Sequence, residues 1–302
     1  MNLAIESPAH GRLLAIAAMI GSAACWGGAT VMSRDLLGHI QAPTLLVIQL
    51  AASVATLLLL ALPHRPLQYV SASLGRISLT GILEPGLAYS VGLWGLSLTS
   101  ASSATIIGST EPVFIILLAW LVSGGAPSRK LMVCVSIAVA GLLLVSYGPT
   151  HEGETRSVIG NMLIVVSTLF AASYVVLSAR FAERYPAAVL AGSQQLVGLI
   201  CATTIYLVGR ISGAIGPEST ELTFGLVAYA AASGVVQYAM AFWLYLIGLK
   251  YLSAGAAGLW LTLIPVFGVS GAFMWLHEVP TLTMLAGMVL VIAAVYLGRR
   301  EK

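Results

Sequence analysis

Two acids, Glu84 and Glu111, are the sole charges in the stretch from Gly81 to Pro112, GILEPGLAYSVGLWGLSLTSASSATIIGSTEP. A carboxylate near the centre of a membrane helix costs about 2.5–3.5 kcal/mol on insertion scales. Such a group turns toward a protein interior or a water-filled path. There it can contact a substrate amine, carry a proton, or hold two helices together. Each acid is followed by a proline, Pro85 and Pro112. Proline removes a backbone hydrogen bond and kinks a helix. The freed carbonyls then need water or a polar neighbour.

The stretch recurs downstream. Shifted by 153 residues, Gly81 meets Gly234, Gly95 meets Gly248, and Pro112-Val113-Phe114 meets Pro265-Val266-Phe267. Glu84 then meets Gln237. A weaker match at a shift of 146 aligns Arg34 with Arg180 and Gln49-Leu50 with Gln195-Leu196. An acid and an amide at equivalent sites suggest a polar feature at mid-membrane. One reading makes it an amine contact or proton site. The other makes it interhelical glue worth about 0.6–2 kcal/mol.

The helical face of Glu111 runs back through Ile107 or Gly108 to Ala104, and the matching face carries Trp260 and Ala257. That pairing suits a zwitterion with a bulky side chain, or a gate near one surface. Glu84 and Glu111 are therefore the proton-coupling candidates. Gln49 and Gln195 need partners at both ends of their amides, which points to a cavity wall. Trp26, Tyr174 and Trp260 fall near mid-span and are read as lining or packing residues. Trp94 and Tyr245 suit an interfacial belt. Pro85, Pro112 and Pro265 are the expected kinks, and the turns at 97–103 and 250–258 the expected hinges of two rocking hairpins.

The elements that carry these residues follow from composition. The chain has 302 residues, of which 59% are hydrophobic and 8% charged. A soluble domain averages roughly 25% charged residues, so the class is a polytopic membrane protein. Ten runs meet the requirement of about 20 mainly apolar residues. They are 13–33, 42–62, 77–98, 101–123, 131–147, 158–179, 188–208, 223–248, 253–275 and 281–298. Alternation of the β-barrel kind is missing, so the spans are expected to be helices. The run after Arg12 is too long for a signal-peptide core and is taken as the first span. Of the 14 Lys and Arg, eleven fall in one set of loops and three, Arg34, Arg156 and Arg210, in the other. The bias places both termini in the cytoplasm.

The three cysteines lie inside spans and the five histidines in loops or tails, with no disulfide or zinc pattern. No metal or cofactor is expected, and no basic patch with aromatics points to nucleic acid. Midplane Lys or Arg, which a nucleotide sugar would call for, is missing. A lipid-modifying enzyme would want clustered acids with metal, or a nucleophile with a base.

Residues 1–150 and 151–302 each hold five spans. Five is odd, so the second half is expected to enter the membrane inverted, a transporter architecture with its site where the halves meet. The resulting fold class is all-α, ten transmembrane helices as two inverted repeats around a central cavity.

The whole pattern resembles the drug/metabolite transporter superfamily. The features that carry the likeness are Trp26-Gly27 with Arg34 beyond it, and PVF at 112–114 and 265–267. The run HEVPTLTMLAG at 277–287 is similar to the start of the last span in the EamA-type branch. Gly124-Gly125 stands where that branch often has Gly-Glu. The nearest likeness within the branch is to bacterial amino-acid exporters. The resemblance implies an exporter of amino acids or similar small metabolites in the bacterial inner membrane, working by alternating access. The sequence has no nucleotide-binding motif, so ATP is not expected to drive it, and two complete halves in one chain make a monomer the expectation. Drug efflux, a lipid-modifying enzyme and a non-transporting partner subunit remain as alternatives.

Overall fold

The computed structural model describes residues 8–123, 128–147, 157–178, 185–249 and 260–298, and these form helices and short connections. Helix α1 (Pro8–Leu36) and α2 (Ala42–Ala61) make the first hairpin. The next run is broken: α3 (Ala72–Ser78), a 3-10 turn (Leu79–Ile82), a π turn (Leu83–Leu87) and α4 (Ala88–Ser97). After it come α5 (Ala101–Gly108), α6 (Glu111–Ser123) and α7 (Arg129–Tyr147).

The remainder comprises α8 (Val158–Ser178), α9 (Ala187–Ile211) and α10 (Phe224–Gly234), then a π turn (Val235–Met240) leading into α11 (Ala241–Leu249). Helices α12 (Ile264–Leu276) and α13 (Leu282–Gly298) complete it. Starts are marked in the sequence by short polar residues. Ser71, Ser100 and Thr223 each accept a hydrogen bond from the backbone N–H three residues on, at 3.1, 3.1 and 3.3 Å.

Among the described residues, six stretches are long and apolar enough to cross a membrane: Leu13–Leu36, Ala42–Ala61, Ala101–Leu118, Val158–Leu177, Ala188–Ile211 and Phe224–Tyr245. Met132–Tyr147, Ile264–Leu276 and Leu282–Leu297 are shorter apolar helices. Leu58, Leu59, Ile200, Val208, Phe273 and Met274 are exposed on the outside. A soluble protein does not show so continuous an apolar surface, and here it faces lipid. The chain is a multi-pass membrane protein.

Two of the expected spans are divided into separate helices. The run read as 77–98 starts at Ala72 and breaks at Glu84, whose backbone is extended (φ −142, ψ 123). The run read as 101–123 turns at Ser109-Thr110, between α5 and α6. Thr262-Leu263 makes the equivalent turn before α12. Pro112 and Pro265 then sit in the first turns of α6 and α12. The missing N–H is harmless there, so the chain restarts a helix instead of bending one.

Among the sequence features weighed above, Gly124-Gly125, residues 148–156 of the central link and the 250–258 hinge lie outside the described residues. So do Ala257, Arg180, Arg184, Lys250, Arg299, Arg300 and Lys302.

Packing crosses between the two halves. Helix α1 lies against α11 and α12, while α8, its counterpart in the repeat, lies against α4, α5 and α6. Helix α2 packs on α9, and α7 on α13. The last pair meets at glycines that are 146 residues apart, Gly141 and Gly287. A Cβ on Gly141 would lie 2.9 Å from the Gly287 carbonyl, and one on Gly287 would lie 2.8 Å from the Gly141 carbonyl. Small residues of this kind let membrane helices approach backbone to backbone. Gly141→Leu is therefore expected to lower stability by about 1–3 kcal/mol through overpacking. Thermal unfolding in detergent measures it, and an unchanged midpoint would refute the close crossing.

Candidate functional site

The two breaks in the helices bring the polar residues together. Glu84 leaves the α-helical path at the first π turn, just before Pro85, and its peptide bond to Pro85 is cis. Gln237 lies in the second π turn. π turns widen a helix and leave backbone groups unpaired, and they recur at functional sites. Glu111 opens α6 at the turn that follows α5.

These three side chains line one cavity of about 150 Å³. Its walls come from α1 (Thr30, Ser33), α4 (Tyr89, Leu93), α5 and α6 (Ala104, Gly108, Glu111), and α8 (Ser167, Thr168, Ala171). Glu84 and Gln237 are each 8% exposed. Tyr89 stands between them. It is close enough to interact with the Glu84 carboxyl and with the Gln237 amide. Glu111 is close enough to act electrostatically on both Glu84 and Tyr89. Gln237 Oε1 has no hydrogen-bond partner.

A second cavity of about 10 Å³ lies on the other side of Glu84, lined by Pro85, Tyr174, Gln194, Gln195 and Phe242. It is about one water in size. The Tyr174 hydroxyl donates to Gln194 Oε1 at 2.8 Å, and Gln194 Nε2 donates to Thr80 Oγ1 at 2.9 Å. Glu84 is thus a wall shared by both spaces.

The other residues singled out from sequence are placed elsewhere. Gln49 is fully enclosed and donates to Ser33 Oγ at 2.9 Å and Ser233 Oγ at 2.8 Å. Gln195 accepts from Ser53 at 2.5 Å and donates to the Tyr238 carbonyl at 2.9 Å. The Tyr238 hydroxyl points to Gln49 Oε1 at 3.5 Å, so one buried tyrosine connects the two amides. Trp26 packs edge-on against Phe242, with ring centroids 5.2 Å apart, and tilts against Tyr245 at 5.8 Å. Trp260 is half-buried at the start of a described segment. Gln49, Trp26 and Trp260 are not part of either cavity wall.

Gln49→Leu should then lower stability by about 0.6–1.7 kcal/mol, the range for interhelical hydrogen bonds in membranes. Apparent substrate affinity should not change. A large affinity change in a transport assay would instead make Gln49 a contact residue.

Sequence reasoning passed over several polar groups. Tyr89 was one aromatic among many, and Gln194 stood beside the repeat-matched Gln195. Glu278 entered only through a motif. It accepts from the Ala101 and Ser102 backbone N–H groups, both at 3.0 Å, and from Ser102 Oγ at 2.8 Å. Those are the first residues of α5, where an acid complements the helix dipole. Arg34 lies near enough to attract it. At the same end, Glu218 accepts from Gln41 N at 3.0 Å and from the Thr44 hydroxyl, capping α2. Caps of this sort join residues about 175 positions apart and leave no local signal.

Comparison with known proteins identifies the family. The sequence profile of the EamA-like transporter family matches twice, over residues 13–147 and 158–298. The chain belongs to that family. An uncharacterised transporter of Archaeoglobus fulgidus is 29% identical over 227 residues, 73% of each chain. The uncharacterised transporter YetK of Bacillus subtilis is 23% identical over 206 residues, 68% of this chain and 61% of its own. A crystal structure superposes over 96% of both chains with a TM-score of 0.64 at 16% identity, a likeness of fold. Family and relatives are transporters by name, and the double match makes two repeats of this EamA-type chain.

Proposed function

We propose that this EamA-type chain exports amino acids or similar small metabolites across the bacterial inner membrane by alternating access, without ATP. Ten spans would form two inverted halves, 1–150 and 151–302, with both termini in the cytoplasm, and one chain would suffice for a pathway. The observation that carries the reading is the single cavity walled by Glu84 and Glu111 from the first repeat and Gln237 from the second. Substrate sites of inverted-repeat transporters lie at such a junction, near broken helices. The breaks at Glu84 and at Ser109-Thr110 supply them here, and the Val235–Met240 π turn widens the helix that carries Gln237. The hairpins α3–α4 with α5–α6, and α10–α11 with α12, are the natural moving parts.

The test is uptake of labelled amino acids into liposomes that hold the purified protein, with and without a pH gradient. Equilibration regardless of the gradient identifies a facilitator. Accumulation driven by the gradient identifies a proton antiporter. No movement of any amino acid in either condition removes amino acids as the cargo and turns the search to other small metabolites.

A further inference from the structure

We propose that Gly108 sets the upper size of the cargo, and that the cavity takes neutral amino acids with small side chains. The inference rests on the transport reading above and narrows its substrate. Gly108 is the last residue of α5. It is on the cavity wall with Ala104, one helical turn before it, and Glu111, just beyond it. Every other residue from Ala101 to Thr110 is buried, and Gly108 is partly open. Its open side is therefore the cavity.

Two glycines stand on the described wall, and they differ. A Cβ on Gly92 would lie 2.7 Å from the Ser167 hydroxyl oxygen, so glycine there lets α4 pack on α8. A Cβ on Gly108 would meet nothing from the rest of the protein within 4 Å. Inside a helix glycine is disfavoured, second only to proline. Its structural uses are a positive φ or the close approach of another group. Gly108 serves neither, because its backbone is helical, its φ is not positive and no neighbour crowds it. What the missing side chain leaves free is room in the cavity.

That room is scarce. A cavity of about 150 Å³ matches one known to hold benzene, with about six non-hydrogen atoms, as in alanine. Whatever fills so small a space meets both Gly108 and the acids Glu84 and Glu111 on the same wall. One methylene more or less in a fitted pocket changes discrimination by about 10- to 200-fold. A methyl group at position 108 would take up part of the space and shift the preference toward shorter side chains.

The experiment compares glycine, alanine, valine, leucine and phenylalanine, which share their charged ends and differ in bulk. Binding to the purified full-length protein in nanodiscs is read by calorimetry, and counterflow of each labelled compound in proteoliposomes. The wild type is expected to bind alanine about tenfold or more tighter than phenylalanine. Gly108→Ala should weaken valine and leucine relative to glycine by about tenfold or more. It should also melt no lower than the wild type, since alanine is the better helix former. Gly28→Ala is the control. A Cβ there also meets nothing within 4 Å, but Gly28 is on neither cavity wall, so the order should not change. Phenylalanine binding as tightly as alanine in the wild type overturns the inference without any variant. An unchanged order in Gly108→Ala, or a lower melting temperature, overturns it and leaves transport standing. So does an equal loss of counterflow rate for every compound with affinities unchanged, which makes Gly108 a hinge between α5 and α6. Binding in the expected order without counterflow supports the size limit and overturns transport. Neither binding nor counterflow of any compound overturns both.

Discussion

Replacing Glu84 by Gln is expected to reduce substrate transport by tenfold or more while leaving the protein folded. Gln has nearly the same shape, so the extended break at residue 84 and the neighbouring Pro85 can persist. What is lost is the acid group on the wall shared by both cavities, which a substrate amine would meet. Hydrogen bonds to a charged group contribute about 1.5–3 kcal/mol. By the rule of 1.4 kcal/mol per factor of ten, that is roughly 10- to 150-fold in affinity. Exchange assays should show the loss as a raised apparent KM. A variant that exchanges normally and fails only to accumulate substrate against a pH gradient would make Glu84 a coupling group instead. Wild-type behaviour in both assays would remove it from the site.

The second large effect is expected from Glu278→Gln. Glu278 takes three hydrogen bonds from the start of α5 and stands beside Arg34. Gln keeps one acceptor and turns an amide N–H₂ toward donors. Unmet donors at a part-buried helix end cost about 1–3 kcal/mol each. The loss should appear as a lower unfolding temperature and faster protease cutting in the α4–α5 turn. Ser102→Ala removes one of the three bonds and should give a smaller change in the same direction. If both variants melt like the wild type, the contact does not hold that end of the bundle closed.

The features of this molecule differ in how far the sequence discloses them. A charge inside an apolar run is conspicuous because of its cost, so Glu84 and Glu111 were visible at once. Gln237 was visible through the repeat, since its own neighbourhood, VVQYAM, carries no charge. The structure puts all three on one cavity. Tyr89 could not be separated from the other tyrosines, because its role depends on a break five residues earlier that redirects the helix. Gln49 and Gln195 were matched by alignment, yet their partners Ser33, Ser53, Ser233 and Tyr238 come from α1, α2, α10 and the π turn that follows it. Pro112 and Pro265 were read as kinks. Whether a proline bends a helix or begins one depends on the turn before it, here 109–110 and 262–263.

The crossed packing of the two halves bears on how the protein is made. Helix α1 leaves the ribosome well before α11 and α12, which cover it and begin only at Ala241 and Ile264. At synthesis rates of about 5–20 residues per second, α1 stays in the bilayer for on the order of ten to forty seconds before they arrive. During that interval Ser22, whose hydroxyl ends on the Ala241 carbonyl at 2.8 Å, faces lipid or a provisional neighbour. The first helix therefore has to be stable alone in the membrane, and the insertion machinery has to hold an unfinished half until the second half closes around it.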